Sequence, residues 1–143
     1  YYVAVHHRNH LGTMTASPLL LSTSTPLIDF TTMSATAGSH GQRLLNTTYL
    51  LWAGDASGDN RVIGAGPGND LNPIRATVLA APGNVNYNRN YIVAGYSRTD
   101  LNLDGLTIAA GPGDDTNYIY NSVFLHPANP SIAANYVIQE QLP

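Results

Sequence analysis

Residues 55–70 read D-A-S-G-D-N-R-V-I-G-A-G-P-G-N-D, and 45 positions further on residues 100–115 read D-L-N-L-D-G-L-T-I-A-A-G-P-G-D-D. Laid over each other without a gap, residues 55–93 and 100–138 are identical at 15 of 39 positions. Both end in the same pair, Asn90-Tyr91 and Asn135-Tyr136. Seven of the eight aspartates fall in these two stretches, and outside them the only acids are Asp29 and Glu140. Carboxylates held a few ångströms apart repel unless a cation neutralises them. The pattern predicts two bound calcium ions, one per repeat.

Calcium takes about six to eight oxygen ligands, and a D-x-[DNS]-x-D loop curls three side-chain oxygens around one point. These are Asp55, Ser57 and Asp59 in the first loop, and Asp100, Asn102 and Asp104 in the second. The main-chain carbonyls of Arg61 and Leu106 fall at the seventh position, where such loops add a backbone oxygen. Gly105, and Asn60 in its place in the first loop, tolerate the left-handed turn that follows the third ligand. The twelfth position, an acid in an EF-hand, is Gly66 or Gly111 here. The closing carboxylate is therefore expected from Asp70 and Asp115, with Asn69 and Asp114 as second choices. Magnesium suits the pattern less, since it prefers few carboxylates, several waters and strict octahedral geometry. The competing reading is two D-G and N-G type turns without metal. The ungapped register and the further acid at the same offset favour calcium, in a structural role.

The chain, residues 1–143, has the size of a single domain. Residues 1–50 read as strand-forming: apolar, β-branched or aromatic runs at 1–5, 19–21, 27–32 and 49–52 are separated by turns at Ser17-Pro18, Thr25-Pro26 and residues 38–41. Residues 33–42 read as a mobile loop. In the repeats, Asn72-Pro73 marks a helix start, with Asn72 as the cap and a helix over about 73–80. Its partner runs over about 118–125 and stops before Pro127. Strands at 91–93 and 136–138 close the repeats. The expected fold is mainly β: a β-sandwich or partly open barrel with two short helices and a pseudo-twofold pair of calcium-loop repeats.

Only 10% of residues are charged, the net charge is −3, and the six basic residues are scattered arginines. A nucleic-acid partner needs a basic stripe, so that class is excluded. No apolar run is long enough to span a membrane as a helix. Cysteine is absent, so disulfides cannot staple the fold. A surface made of 14 Asn, 13 Thr, Ser, Gly and Tyr, on a chain that begins at Tyr1, suits an exported protein that packs against copies of itself. No nucleophile constellation is present, and the aspartates are accounted for as ligands, so an enzyme is not expected. His6, His7 and His10 form the only histidine cluster. On a strand His6 and His10 could share a face, and surface hydrogen bonding is a more ordinary use of them than metal binding. Asn46-Thr47-Thr48 is a formal glycosylation sequon.

The runs YYVAVHHRNHLGTMTASPL, LLWAGDASGDN, AGPGNDLNPI and NYVIQEQLP together resemble a domain of secreted proteins of Bacteroidota-type bacteria. There an R-H-R-N-H-L-G segment precedes W-A-G-D-A-N-G-D-G and G-D-V-N-x-D-G loops. This chain departs from it by carrying His6 for the first arginine, and Ser57 and Asn60 where Asn and Gly are usual. Some proteins with that domain resemble subunits of pilus-like extracellular fibrils, in which an N-terminal strand of one copy completes the fold of another. The resemblance implies an extracellular homopolymer joined by donor-strand exchange, with residues 1–8 as the donor. An apolar terminal strand is a liability unless paired, and head-to-tail strand addition builds open filaments. The alternative is a carbohydrate- or surface-binding adhesin module of a larger secreted protein, with Tyr87, Tyr96, Tyr118 and Tyr120 as ring-stacking candidates for glycans.

Overall fold

The computed structural model describes residues 1–24, 27–32 and 40–142. Ten elements follow in the order β1 (Ala4–Val5), β2 (Thr13–Met14), β3 (Arg43–Leu45), β4 (Thr48–Leu50), β5 (Arg61–Ile63), α1 (Leu71–Leu79), β6 (Ile92–Ala94), β7 (Leu106–Ile108), α2 (Thr116–Leu125) and β8 (Val137–Gln139). The strands pair antiparallel as β1·β2, β3·β4, β5·β8 and β6·β7. Most described residues lie in turns and irregular segments around these short ladders and the two helices.

The two long-range ladders share one register. Arg61 faces Gln139, Val62 faces Ile138 and Ile63 faces Val137. Moved by the repeat spacing these become Leu106 with Ala94, Thr107 with Val93 and Ile108 with Ile92, which are the pairs of the other ladder. The strand after each acidic loop therefore pairs with the closing strand of the other repeat. The helices follow suit, with α1 packing on β7 and α2 on β5. Apolar residues at helical spacing cause this. Leu71, Ile74 and Val78 form the buried face of α1, and Ile119 and Val123 that of α2. They join Leu11, Trp52, Val62, Leu101 and Ile138 in one cluster of buried side chains.

Each helix is sealed by a buried asparagine. Asn84 Nδ2 donates to the carbonyls of Val78 (2.8 Å) and Asn88 (2.9 Å), while its Oδ1 accepts from Asn88 N (2.7 Å). Asn129 does the same with Val123 (2.8 Å), Ala133 (3.0 Å) and Ala133 N (3.0 Å). The last turn of each helix leaves carbonyls without helical partners, and this side chain takes one of them.

Several expectations are corrected. Where a sandwich or partly open barrel was expected, the described strands stand as two-stranded ladders. Asn72 is not the cap of α1: the helix starts at Leu71 after Asp70, and Asn72 lies in its first turn. Its partner starts at Thr116, earlier than expected, and ends at Leu125. His126, the residue before Pro127, is extended, as the proline ring requires. Residues 27–32 form no strand, because Asp29 Oδ1 accepts from Thr31 N (2.9 Å) and Thr31 Oγ1 (2.6 Å), a local turn that competes with a ladder. Residues 19–21 form none either, although Leu19 exchanges backbone hydrogen bonds of 2.7 and 2.8 Å with Tyr1. The fourth expected strand is β4, which begins at Thr48 and stops at Leu50, before Trp52 turns into the core. Thr25-Pro26 and residues 33–39 of the expected loop lie outside the described residues. No described helix is long and apolar enough to cross a membrane.

Candidate metal centre

Asp55, Asp59 and Asp70 each bring one carboxylate oxygen within 4.8 Å of the other two. Two oxygens bound to one ion at about 2.4 Å can be no further apart than about 4.8 Å, so this trio fits around a single calcium-sized cation. Asp55 and Asp70 are buried, while Asp59 and Ser57 are exposed.

Backbone amides orient the buried pair. Asp55 Oδ1 accepts from Gly58 N (2.6 Å) and Asp59 N (3.1 Å), and its Oδ2 from Asn60 N (3.2 Å). Asp70 Oδ1 accepts from Ser57 N (3.0 Å) and Oδ2 from Ile63 N (2.9 Å). Asp70 thus sits at the N-cap of α1 without capping it, because its carboxylate turns back across the loop. The turn that lets it do so runs through Gly66 and Gly68, at φ of 101° and 72°. Burial pushes the Asp70 carboxyl up to about 6, and Asp55, also raised by burial, adds to this. Two desolvated carboxylates side by side are costly unless something neutralises them.

The second loop repeats four of these five hydrogen bonds. Asp100 Oδ1 accepts from Asp104 N (3.1 Å) and Oδ2 from Gly105 N (3.1 Å). Asp115 Oδ1 accepts from Asn102 N (3.4 Å) and Leu101 N (2.6 Å), and Oδ2 from Ile108 N (2.8 Å). Asp115 too is raised by burial. Asn60 and Gly105 both take positive φ, 63° and 84°. The loops differ in closure, however. Among the described residues the first trio is the only group of acids and histidines drawn together tightly enough for one ion. In the second loop Asn102 Nδ2 donates to Asp104 Oδ2 (2.9 Å) and Gly113 O (3.4 Å), and the Arg8 guanidinium reaches Asp100 Oδ2 (3.4 Å). Asn102 thus joins Asp104 and Asp115 by hydrogen bonds, through its side chain to the one and its backbone amide to the other.

Arg61 and Leu106 begin β5 and β7, so the seventh-position carbonyl in each loop belongs to the first residue of a strand. Arg61 Nε also lies 3.6 Å from Asp59 Oδ2, an exposed pair of little energetic weight. Of the second-choice ligands, Asp114 is engaged elsewhere. Asp114, one residue before the N-cap Asp115, accepts from the Thr116 hydroxyl and from Asn117 N (3.1 Å) in the first turn of α2. Asn69 Nδ2 donates to Gly66 O (2.7 Å), while its Oδ1 is buried without a hydrogen-bond partner among the described residues.

The histidine that meets His10 is His7, not His6: their rings are 4.6 Å apart with Nδ1 atoms at 3.1 Å, while His6 is exposed. Burial first, then His7 and Arg8, lower the His10 pKa to about 4. Both rings, with Leu50, Leu101 and Tyr118, border a cavity of about 500 Å³. The glycan-stacking candidates are dispersed. Tyr87 is exposed, Tyr96 lies under the Arg8 guanidinium at 3.9 Å, and Tyr120 stacks on Phe124.

Sequence reasoning missed the segment that frames both loops. Asn9 O accepts from Gly54 N and Asp55 N, both 3.1 Å, and Asn9 Nδ2 donates to Asp100 O at 2.6 Å. Glu140 N donates to Asn60 O (2.9 Å), and Glu140 Oε1 accepts from Gly12 N (2.6 Å). Such roles depend on contacts far apart in sequence; the one sequence signal at hand was the H-R-N-H run itself. No protein-family profile, curated protein or solved structure matches the chain.

Proposed function

We propose that the chain is a calcium-stapled structural subunit of an extracellular, pilus-like homopolymer. The observation that carries the calcium reading is the closed carboxylate trio Asp55, Asp59 and Asp70, with two members desolvated. Its donors are all oxygen, the set a hard cation takes, and the carboxylate count favours calcium over magnesium. The second repeat carries acids at the same offsets and repeats four of the amide-to-carboxylate hydrogen bonds, which supports reading the two loops as a pseudo-twofold pair of sites. Asp55, Ser57, Asp59, Asp70 and the Arg61 carbonyl would hold one ion, and Asp100, Asn102, Asp104, Asp115 and the Leu106 carbonyl the other. Each ion would offset the repulsion within its loop and fix the strand and helix that leave it.

Metal analysis of purified protein is expected to find about two calcium ions per chain. Calcium at a hundredfold excess over Kd adds about 2.7 kcal/mol per site, roughly 10 °C in melting temperature for a chain of this size. Asp104→Ala is expected to remove one ion. A calcium-free protein whose melting ignores chelators would refute the reading.

Assembly is read from the N-terminal strand and the family resemblance. In the single chain β1 pairs with β2, and Val3 O accepts from Thr15 N (2.9 Å). Yet Tyr1, Tyr2 and Val5 stay 79%, 57% and 38% exposed, apolar surface that a neighbouring copy would cover. Deleting residues 1–5, which spares Arg8 and Asn9, is expected to leave monomers that accept a peptide of that sequence. Fibrils formed by the truncated protein would rule out strand donation. A glycan array on the monomer tests the adhesin alternative, which saccharide binding without assembly would favour.

A further inference from the structure

We infer that the two calcium loops are coupled, and that the coupling runs through Asn9 and Arg8. The inference rests on the calcium reading above. Asn9 is fully buried and holds the backbone at the first ligand of both loops at once. Its carbonyl accepts from Gly54 N and Asp55 N (3.1 Å each), and its amide Nδ2 donates to Arg98 O (2.8 Å) and Asp100 O (2.6 Å).

The flanking arginines lock the same junction. Arg8 Nε donates to Ser97 O (2.9 Å), its NH2 group reaches Asp100 Oδ2 (3.4 Å), and its guanidinium stacks on Tyr96. Arg98 donates to the Arg8 carbonyl, and its guanidinium lies over Gly58 of the first loop, where a Cβ would come within 2.7 Å of it. Arg8 thus reaches the second loop, and Arg98, on the approach to the second loop, covers the first.

An ion in either loop fixes Asp55 or Asp100, and through Asn9 it fixes the other. The ordering cost of residues 8–10 and 97–100 falls on the first ion, so the second binds more tightly. Coupling of this kind is reciprocal. Direct repulsion between the ions has the opposite sign and is screened by salt.

The test is calorimetric titration of chelator-treated protein with calcium chloride at physiological salt. Asp59→Ala, which cripples the first loop, is expected to weaken binding at the second on the order of tenfold, and Asp104→Ala to weaken the first by the same factor. In an Asn9→Ala background these effects are expected to shrink to about twofold or less. Arg8→Gln, at a partly exposed position, is expected to reduce them in part and decides the matter if Asn9→Ala does not fold. Unchanged or tighter binding at the intact loop overturns the coupling while leaving calcium binding intact. Full coupling that survives both Asn9→Ala and Arg8→Gln overturns this route. Wild-type protein that binds no calcium instead defeats the underlying reading.

Discussion

At the scale of single residues, Asp70 carries the most information. Amides of Ser57 and Ile63 pull its pKa down, and burial outweighs them to leave it near 6. In calcium-free protein the folded state therefore holds this proton more tightly than the unfolded chain, whose carboxyl titrates near 3.8. Stability from this group is full below about pH 4, falls as pH rises towards 6, and is flat beyond. His10 acts in reverse. Its folded pKa of about 4 lies below the ordinary 6.5, so its contribution grows as pH rises through that window. The two slopes oppose each other, and comparison with Asp70→Asn isolates one of them. The stability difference between wild type and Asp70→Asn, both chelated, is expected to shift against wild type between pH 4 and 6. On the proposed calcium reading the ion would displace this proton, so calcium affinity is expected to rise over the same interval and then level off. Urea titrations and calorimetry at pH 4.5, 5.5 and 7 would read both, and a pH-independent difference would refute the argument.

At the scale of elements, the asparagines that end the helices are the parts most open to substitution. Asn84→Ala or Asn129→Ala removes three hydrogen bonds; the Val123 carbonyl is left without its partner, and the Val78 carbonyl keeps only the 3.4 Å bond from Ala81 N. Each is expected to cost roughly 1–3 kcal/mol, read by urea denaturation in excess calcium chloride. Asn72→Ala, by contrast, is expected to cost little, since that residue caps nothing. The repeat made Asn84 and Asn129 visible in the sequence as matched positions without saying what they do. The acidic loops, the helices and the strands that close the repeats were legible because their signals are local: ligand spacing, Pro-Gly turns and apolar periodicity. Residues 1–50 were less legible: the side chain of Asp29 diverts 27–32 into a local turn, and Leu19 is held by Tyr1, 18 residues away. Ligand spacing also said nothing of the difference between the loops, which comes from Asn102 and from Arg8, far away in sequence.

At the scale of the whole molecule, the exchanged ladders set an order of events in time. Strands β6 and β7 join residues only 12 to 16 apart, Ala94 with Leu106 and Ile92 with Ile108. Strands β5 and β8 join residues 74 to 78 apart, Ile63 with Val137 and Arg61 with Gln139. Closing the longer loop costs about 1.5 kcal/mol more in chain entropy, and non-local pairings form late. The acidic loop that leaves the ribosome first is thus the last to be finished: its strand waits for β8, and Asn60 waits for Glu140. Pulsed hydrogen exchange during refolding should protect the amides of Val93 and Thr107 before those of Val62 and Ile138. A nascent chain halted before residue 136 would carry its second loop framed by β6 and its first loop open, its carboxylates already exposed and its staple not yet set.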